Sequence, residues 1–358
     1  MTSVDLAGVR ASVDEAIAVQ LDRGRADLAD LRPESGDLVD GIAALMGGGK
    51  RLRPLFLYLG YRAAGMPDRT EAAALASSVE FLQAAALIHD DVIDRSATRR
   101  GMPTIHTALA SSHRERGWDG DAEHFGAAGA ILAGNLCLGW ADQAYDESGL
   151  PPAELARARG TFDEMRTQLM AGQYLDVVGS VRPWRRLSPG ERVAEATRVI
   201  TYKSAKYSIQ HPVLIGALAG GAGARVLTGL RDYGLELGIA FQLRDDLLGI
   251  FGDPEATGKP AGDDLREGKR TVLIAHTLAG LPADQATDVE SALGADLSDG
   301  DVVRLRDLIR ASGAVAAVER EISARADSAA AALAGADVAL SAARALRDLI
   351  ETATARSA

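Results

Sequence analysis

Apolar side chains recur every three or four positions along much of this chain, which is the spacing of one buried face of an α-helix. A clear run near the C-terminus comprises Val315, Val318, Ile322, Ala326, Ala329 and Leu333. No stretch alternates apolar and polar residues between turn residues, as a half-buried strand would. The sequence therefore predicts an all-α fold.

Length and composition allow one large helical domain. The chain has 358 residues, and a domain has about 150, so one large domain or two ordinary ones are possible. Aromatic residues are only 4% of the chain, so its apolar share is mostly Ala, Leu and Val, which favours helix. Glycine and proline clusters mark the ends of long predicted helices. The sequence contains no tandem repeat and no long low-complexity linker. We interpret residues 1–358 as a single domain.

The charge balance and the single cysteine exclude several classes of function. Lys and Arg total 39 and Asp and Glu total 50, and the resulting net charge of −11 disfavours nucleic acid as a partner. Cys137 alone can form neither an intrachain disulfide nor a cysteine-based zinc site, which fits the reducing cytoplasm. The N-terminus lacks the pattern of a signal peptide. The longest apolar run, residues 125–141, is too short for a transmembrane segment and is interpreted as a buried helix.

The first candidate site is acidic and follows an apolar helical stretch. Asp90, Asp91 and Asp94 occur within residues 89–94. On a helix the carboxylates of Asp90 and Asp94 share one face because they are four residues apart. Two carboxylates at this spacing suit Mg²⁺, which prefers oxygen ligands. Taken alone, such a motif is more often a solvated acidic helix end.

A second acidic pair changes that interpretation. Asp245 and Asp246 also close an apolar helical stretch, and Gln242 precedes them. Two acidic clusters of this kind can face each other across a cavity and hold several Mg²⁺ ions with a bound diphosphate. Together they predict a metal–diphosphate site.

Basic residues that could bind phosphate accompany both acidic motifs. Glycine lets a backbone approach a ligand closely, and the arginine fork binds phosphate through two hydrogen bonds. Any one of these cations would ordinarily cap a helix or lie in water, but in combination with the acidic pairs they support the diphosphate site. The candidates are Gly49, Lys50, Arg53, Arg99, Arg100, Lys203, Lys259 and Lys269.

In this order, from Gly48 to Lys269, the motifs resemble those of the all-trans polyprenyl diphosphate synthase family, and especially bacterial geranylgeranyl diphosphate synthases. The resemblance implies a helical bundle around a central cavity, of the isoprenoid synthase type, with the motifs in residues 45–275. It implies a prenyltransferase that condenses isopentenyl diphosphate with an allylic diphosphate and uses about three Mg²⁺ ions. A homodimer is implied as well.

The resemblance assigns the cations to two diphosphate groups. Those for isopentenyl diphosphate are Lys50, Arg53 and Arg100, beside Gly49 and Gln83. Those for the allylic diphosphate are Arg99, Lys203, Lys259 and Lys269, with Lys259 reaching its target when its loop closes.

The resemblance assigns the carboxylates to Mg²⁺ and two further residues to the reacting carbon chain. The ligands would be Asp90, Asp94 and Asp245, supported by Asp91 and Asp246. The side-chain oxygens of Ser204 and Gln242 would face the developing carbocation. The chemistry needs no covalent nucleophile, so the lack of a Ser/His/Asp set is expected.

Three residues depart from the family pattern. Gln83 stands where His is usual, and an amide can donate a hydrogen bond to phosphate but carries no charge. Gly249 stands where the second acidic motif usually has a third Asp, which removes a possible ligand. Asn135 stands where Asp is common, a change without a physical account.

The helix before Asp90 should also set the length of the product. Ala85 and Ala86 are small, so the hydrocarbon tail can pass them, and the next aromatic residue is Phe81. Nine residues of helix from Asp90 correspond to about 13.5 Å, or roughly three isoprene units. We therefore expect a product longer than C15, namely geranylgeranyl diphosphate (C20). The alternative is that small residues on a buried helix only permit close packing.

Three other functions remain open from the motifs. A class I terpene cyclase or a Mg²⁺-dependent phosphohydrolase uses similar acidic clusters, but neither needs the second diphosphate site formed by Lys50, Arg53 and Arg100. A non-catalytic regulatory subunit of a heteromeric synthase would be expected to lose acidic-motif carboxylates, whereas all five remain here.

Overall fold

The structure is a computed structural model that describes residues 4–31, 35–252 and 262–354. Most of these residues are helical, and their only strands are Thr98–Arg99 and Met102–Pro103, paired antiparallel. The all-α prediction is confirmed. Contacts divide the chain into two compact units: unit 1 is Met1–Gly160 with Pro212–Ala222, and unit 2 is Thr161–His211 with Gly223–Ala358. The single-domain interpretation stays a prediction.

The helices of the described residues are numbered in chain order. They are α1 (Leu6–Asp27), α2 (Gly36–Met46), α3 (Leu52–Ala63), α4 (Thr70–Ile93), α5 (Ile105–Glu115), α6 (Ala122–Asp146), α7 (Pro152–Val181), α8 (Pro189–Val199), α9 (His211–Ala219), α10 (Ala224–Phe251), α11 (Asp263–Arg266), α12 (Val272–Gly280), α13 (Ala283–Ala292), α14 (Asp299–Ala311), α15 (Ala314–Gly335) and α16 (Leu340–Thr354). Short 3₁₀ turns lie at Ala29–Leu31 and Trp184–Arg186, and a π-helical segment, Ile200–Gln210, joins α8 to α9.

Helix α4 forms the centre of unit 1 and carries the first acidic motif at its C-terminal end. It lies against α1, α3 and α6, and apolar residues surround it on most sides. Among the described residues it is the one helix whose length and composition would allow it to cross a membrane, and 78% of its most apolar window is buried inside the protein. That burial is typical of a core helix.

Helix α6 contains residues 125–141, and the expectation that this segment is a fully buried helix is wrong for one of its faces. Cys137 and Ala141 are buried as expected. Ile131 and Leu132, however, are 46% and 57% exposed, and Phe125 is also exposed. The segment is helical, but one side presents apolar groups to the surface of unit 1.

In unit 2 the π-helical segment lies very close to its neighbours because glycines face it. A Cβ added at Gly172 of α7 would lie 2.5 Å from the backbone nitrogen of Lys203, and one at Gly238 of α10 would lie 2.6 Å from the carbonyl oxygen of Ala205. The backbone N–H of His211 donates to the carbonyl of Lys206, five residues back, as the wider π turn requires. Such segments are rare and often lie at functional sites.

We expect Gly172→Ala to destabilise the protein, because the new methyl group would overlap the backbone of the π-helical segment. Overpacking of this kind typically costs about 1–3 kcal/mol. Thermal unfolding measures the effect, and Gly160→Ala on the same helix is the matched control. A Cβ at Gly160 meets nothing within 4 Å, so that variant should be neutral or more stable by up to about 1 kcal/mol. Equal midpoints for both variants would contradict the close approach.

Candidate active site

The first acidic motif ends α4 and divides its carboxylates between two environments. Asp91 is buried, and Arg99 grips it through Nε at 2.9 and 3.0 Å from the two carboxylate oxygens and through a terminal nitrogen at 2.6 Å. Asp90 and Asp94 are only half-buried, and the backbone N–H of Asp94 caps the carbonyl of Asp90 at 2.8 Å. Asp91 is therefore already paired with a cation, and Asp90 and Asp94 are the more exposed carboxylates of the motif.

The Arg99–Asp91 pair is a contact that sequence spacing did not predict. Arg99 lies in the short hairpin that follows α4, which folds the chain back and brings its guanidinium to the helix end. His89, next to the motif, packs against α6 and is not a metal-ligand candidate. Its Nε2 lies 3.3 Å from the carbonyl of Ile131, and a side chain at Gly134 would collide with its ring.

Arg51 shapes the loop between α2 and α3, although the motif comparison assigned it no role. Its buried guanidinium pairs with Asp14 and with Glu80, each at 2.8 Å, and donates to the carbonyls of Met46 and Gly48. Because two carboxylates neutralise its charge, Arg51 serves to hold the backbone in place. The exposed Lys50 and the half-buried Arg53 project from that backbone. Gly49, at φ 126°, provides the sharp turn before them.

The cations of unit 1 are concentrated around Arg100. Desolvation and then the positive charges of Arg99, Arg51 and Arg53 lower the pKa of Arg100. One of its terminal nitrogens donates to the carbonyl of Gly48 at 3.2 Å, which ties the hairpin to the glycine turn. Arg51 and Arg100 also have left-handed backbones, with φ of 51° and 52°. Non-glycine residues in this region are strained and often lie at functional sites.

The cationic residues of unit 1 are chemically suited to an anion. Guanidinium groups that repel one another would be stabilised by a multiply charged anion such as a diphosphate. The half-buried Gln83 lies on α4, three residues after the Glu80 that anchors Arg51.

The second acidic motif lies on one face of α10 in unit 2 and is linked to the π-helical segment. Gln242, Asp245, Asp246 and Gly249 share that face through their spacing of three and four residues. The hydroxyl of Ser204 donates to the side-chain oxygen of Gln242 at 2.5 Å. The amide nitrogen of Gln242 in turn donates to Oδ1 of Asp246 at 2.8 Å. The hydrogen bonds therefore fix the orientation of the Gln242 amide.

Asp246 shows that this motif fits a divalent cation. Its side chain is buried, and its Oδ2 has no hydrogen-bond partner. Burial, followed by the negative charges of Asp264 and Asp245, raises the pKa of Asp246 to about 8, although the Gln242 hydrogen bond opposes the rise. A nearby Mg²⁺ would compensate the repulsion and keep the carboxylates ionised.

Any Mg²⁺ would complete its coordination with groups from outside the protein. Within the described ranges, no three His, Cys, Asp or Glu residues are close enough together to form a metal site. Mg²⁺ commonly binds in this way, through one or two carboxylates plus water and substrate phosphates. The donor set of each acidic motif therefore fits Mg²⁺ better than a metal that needs a complete protein cage.

Lys203 is held by a residue that sequence reasoning missed. Its Nζ lies 2.7 Å from Oδ2 of Asp176, which is on α7 one turn after Gly172. The polar pair of Gln173 and Asp176 in an otherwise mixed helix was the available signal. Lys269 contacts Asp264 at 3.2 Å and also pairs with Glu267. Lys259 falls outside the described residues.

The candidate product-length residues are buried in α4. Ala85 and Ala86 have at most 6% of their surface exposed. The ring of Phe81 packs edge-on against Trp140 of α6, with centroids 6.1 Å apart. Trp140 is itself confined, because a Cβ at Gly24 of α1 would overlap its indole. Phe81 is therefore a braced side chain that cannot move freely.

The chain is similar to known proteins in both sequence and fold. The family model described as polyprenyl synthetase matches residues 38–309. The chain is 34% identical over 272 residues to a geranylfarnesyl diphosphate synthase of Aeropyrum pernix, covering 75% of this chain and 77% of the relative. It is also 34% identical over 261 residues to a farnesyl diphosphate synthase of Geobacillus stearothermophilus, covering 70% of this chain and 78% of the relative.

A solved structure shows the same fold over nearly the whole chain. It is geranylgeranyl pyrophosphate synthase from Corynebacterium glutamicum, complexed with isoprenyl diphosphate and magnesium. The likeness has a TM-score of 0.92 and 39% identity and covers 99% of this chain and all of that one. The isoprenoid synthase type of fold expected from the motifs is confirmed. With its helical fold, its acidic motifs and a family match over most of its length, the chain belongs to the polyprenyl synthetase family.

Proposed function

We propose that this protein is a Mg²⁺-dependent geranylgeranyl diphosphate synthase that condenses isopentenyl diphosphate with an allylic diphosphate. The observation that carries the proposal is the cationic cluster around Arg100 in the same unit as the first acidic motif. A terpene cyclase or a phosphohydrolase has no use for a second diphosphate site. The complete set of acidic-motif carboxylates argues against a non-catalytic subunit.

The cationic cluster would hold isopentenyl diphosphate. Lys50, Arg53 and Arg100 would bind its diphosphate, with Gln83 as a neutral hydrogen-bond donor and Gly49 allowing close backbone approach. Arg51 contributes indirectly, because its buried contacts keep the loop rigid before substrate arrives. Preorganised charges of this kind lose little free energy when the ligand binds.

The allylic substrate would lose its diphosphate to leave a delocalised carbocation. Asp90, Asp94 and Asp245, supported by Asp91 and Asp246, would be ligands of about three Mg²⁺ ions, which neutralise the charge on the leaving group. Arg99, Lys203, Lys259 and Lys269 would add hydrogen bonds to that diphosphate. The double bond of isopentenyl diphosphate would then form the new carbon–carbon bond, and the released diphosphate would accept the proton that the adduct loses.

The side-chain oxygens of Ser204 and Gln242 would stabilise the carbocation electrostatically. Because the hydroxyl of Ser204 donates its hydrogen to Gln242 and the Gln242 nitrogen donates to Asp246, the remaining oxygen lone pairs are left to face the positive charge. The position of Ser204 in the π-helical segment fixes this chain of donors.

Relatives of this chain are named for farnesyl, geranylgeranyl and geranylfarnesyl products. We propose C20 because Ala85 and Ala86 are small and the next aromatic residue toward the N-terminus of α4 is Phe81, whose ring packs against Trp140.

We also propose a cytoplasmic homodimer. Phe125, Ile131 and Leu132 give α6 an exposed apolar face, which a second copy of the chain could cover. The single cysteine, Cys137, is buried, and burial raises the pKa of its thiol. The thiol is therefore protected from oxidation. The cytoplasmic assignment rests on the absence of disulfide-forming cysteine pairs.

The direct test of the proposed function is an assay with Mg²⁺, labelled isopentenyl diphosphate and C5, C10 or C15 allylic primers in separate reactions. We expect label to enter a longer prenyl diphosphate, and Asp90→Asn to lower turnover by about 10²-fold or more because a metal ligand is lost. Asp22→Asn, an exposed carboxylate on α1, is the control and should not change turnover. Consumption of an allylic diphosphate without isopentenyl diphosphate would instead indicate a cyclase or hydrolase.

The product-length proposal predicts that Ala85→Phe shortens the product, because the new ring would block the tail one helical turn before Phe81. Chromatography of the dephosphorylated products measures the length, and Ala85→Ser is the near-isosteric control that should leave it unchanged. If Ala85→Phe stays active and yields products of unaltered length, this face of α4 does not limit elongation.

A variant of Arg244 can test whether this residue only stabilises α10 or also supports the proposed metal site on that helix. Arg244 forms a bidentate pair with Glu319 of α15 at 2.6 and 2.7 Å and donates to the carbonyl of Thr354 at 2.9 Å. Eight residues earlier, Glu236 pairs with Arg325 between the same two helices, at 3.0 and 3.2 Å. The two ion pairs are similar in kind, but only Arg244 lies beside Asp245 and Asp246.

We therefore expect Arg244→Met to raise the Mg²⁺ concentration needed for half-maximal turnover by about tenfold, a loss of about 1.4 kcal/mol in metal binding. Arg325→Met should lower thermal stability by about as much as Arg244→Met does, but it should leave the Mg²⁺ dependence unchanged. Partly exposed ion pairs of this kind contribute about 1 kcal/mol or less to stability. An identical Mg²⁺ dependence in the two variants would show that Arg244 only stabilises the fold.

A further inference from the structure

The hairpin that carries Arg99 and Arg100 has little structure of its own to hold it in place. Its strands, Thr98–Arg99 and Met102–Pro103, are only two residues long. Pro103 has no N–H group to donate to the pairing. A two-stranded hairpin alone is at best marginally stable in water. Contacts outside the two strands must therefore fix its position.

The turn of the hairpin is also strained. Arg100 and Gly101 are the two residues between the strands, and their φ angles are 52° and 75°. A two-residue turn with both φ angles positive follows the twist of the strands, but it favours Asn-Gly or Asp-Gly. An arginine in this conformation is strained, and such strain is common where a side chain has a function.

The two arginines contact different parts of unit 1. The guanidinium of Arg99 binds the carboxylate of Asp91 at the end of α4, with a shortest distance of 2.6 Å. Arg100 donates to the carbonyl of Gly48 at 3.2 Å, in the glycine turn before α3. Two consecutive residues of one short hairpin thus reach both the first acidic motif and the cationic loop.

Thr104 closes the base of the hairpin. It is buried, its backbone N–H donates to the carbonyl of Ala97 at 3.1 Å, and its hydroxyl donates to the carbonyl of Ser96 at 2.9 Å. The hydroxyl of Thr107 and Nδ1 of His106 lie 2.9 and 3.1 Å from the same oxygen. A hydroxyl has one hydrogen to donate and two lone pairs to accept with, so these contacts match its full hydrogen-bonding capacity.

The side chain of Thr104 does not do what its position in the chain predicts. Thr104 is the N-cap residue of α5, where a threonine hydroxyl usually accepts from a backbone N–H of the first turn. It makes no such bond here, because the hydroxyl is turned to the hairpin. The carbonyl of Thr104 still accepts from the backbone N–H of Ala108 at 2.9 Å. One residue therefore joins the helix to the hairpin.

We propose that Thr104 is a positioning residue that anchors the hairpin to α5, so that Arg99 and Arg100 are held ready for two different diphosphate groups. Without the hydroxyl, the buried carbonyl of Ser96 loses its partner and the base of the hairpin loosens, which displaces both guanidinium groups. Thr104 itself acts only through the two arginines. This inference rests on the proposed function for the identity of the two diphosphates.

The first test measures hydrogen–deuterium exchange of the full chain and its binding of inorganic diphosphate by isothermal titration calorimetry. Thr104→Val keeps the shape of the side chain and removes the hydroxyl. We expect faster exchange in residues 96–104 and about tenfold weaker diphosphate binding, because a buried hydrogen bond is lost. Thr104→Ser keeps the hydroxyl and should restore both properties.

Thr277→Val is the matched control. Thr277 is also buried, and its hydroxyl donates to the carbonyl of Leu273 at 2.8 Å, within α12 of unit 2. This variant loses the same kind of hydrogen bond, so its thermal stability should fall by a similar amount. It should leave both diphosphate binding and exchange in residues 96–104 unchanged. Circular dichroism confirms that each variant is folded.

A double variant distinguishes positioning from a general loss of stability. The KM for isopentenyl diphosphate is measured for Thr104→Val, for Arg100→Met and for the two combined. Because Thr104 acts through Arg100, we expect Thr104→Val to raise KM about tenfold in the wild-type background but less than about twofold when Arg100 is already replaced. A purely structural effect would be the same in both backgrounds.

The outcomes separate this inference from the proposed function. A wild-type protein that condenses the two diphosphates, together with a Thr104→Val variant of unchanged exchange and diphosphate binding, would overturn the inference alone. An equal rise of KM in the two Arg100 backgrounds would overturn it too. Faster exchange and weaker diphosphate binding by Thr104→Val in a protein without condensing activity would support the inference and overturn the proposed function.

Discussion

Like charges lie close together in both units of this protein, and neighbouring contacts hold them in place. In unit 1 the guanidinium groups of Arg51, Arg53 and Arg99 act on Arg100. In unit 2 the carboxylates of Asp245 and Asp264 act on the buried Asp246. Folding tolerates such clusters when other contacts fix their members, and ligands of opposite charge then bind to groups that are already in place.

The fixing contacts differ between the two units, and each has a local cause. Arg51 is anchored by Asp14 and Glu80 and by two backbone carbonyls, so the glycine turn before α3 is rigid although its backbone is strained. In unit 2 the π-helical segment brings Ser204 to Gln242, and glycines on α7 and α10 allow the backbones to approach closely enough for that contact. Backbone strain in unit 1 and close helix approach in unit 2 thus occur beside the candidate residues of each unit.

Much of the helical pattern and most of the candidate residues could be predicted from local sequence. The glycines after Met46 end α2, the acidic residues end α4 as expected, and Asp90 and Asp94 keep the spacing of one helix face. These features depend on residues within a few positions of each other, which a periodic pattern reveals. The partners of Arg51 and Lys203 could not be found this way, because Asp14 is 37 residues away from Arg51 and Asp176 is 27 residues away from Lys203.

The sequence by itself determined the class of fold, the presence of two acidic motifs and the cations that accompany them, because helix period and motif spacing are local properties of the chain. Only the tertiary structure decided which charges are already paired, as Arg99 is with Asp91. It also decided which oxygen is left without a partner, as Oδ2 of Asp246 is. The physical reason is that desolvation and charge repulsion depend on distances between groups that the chain brings together only when it folds.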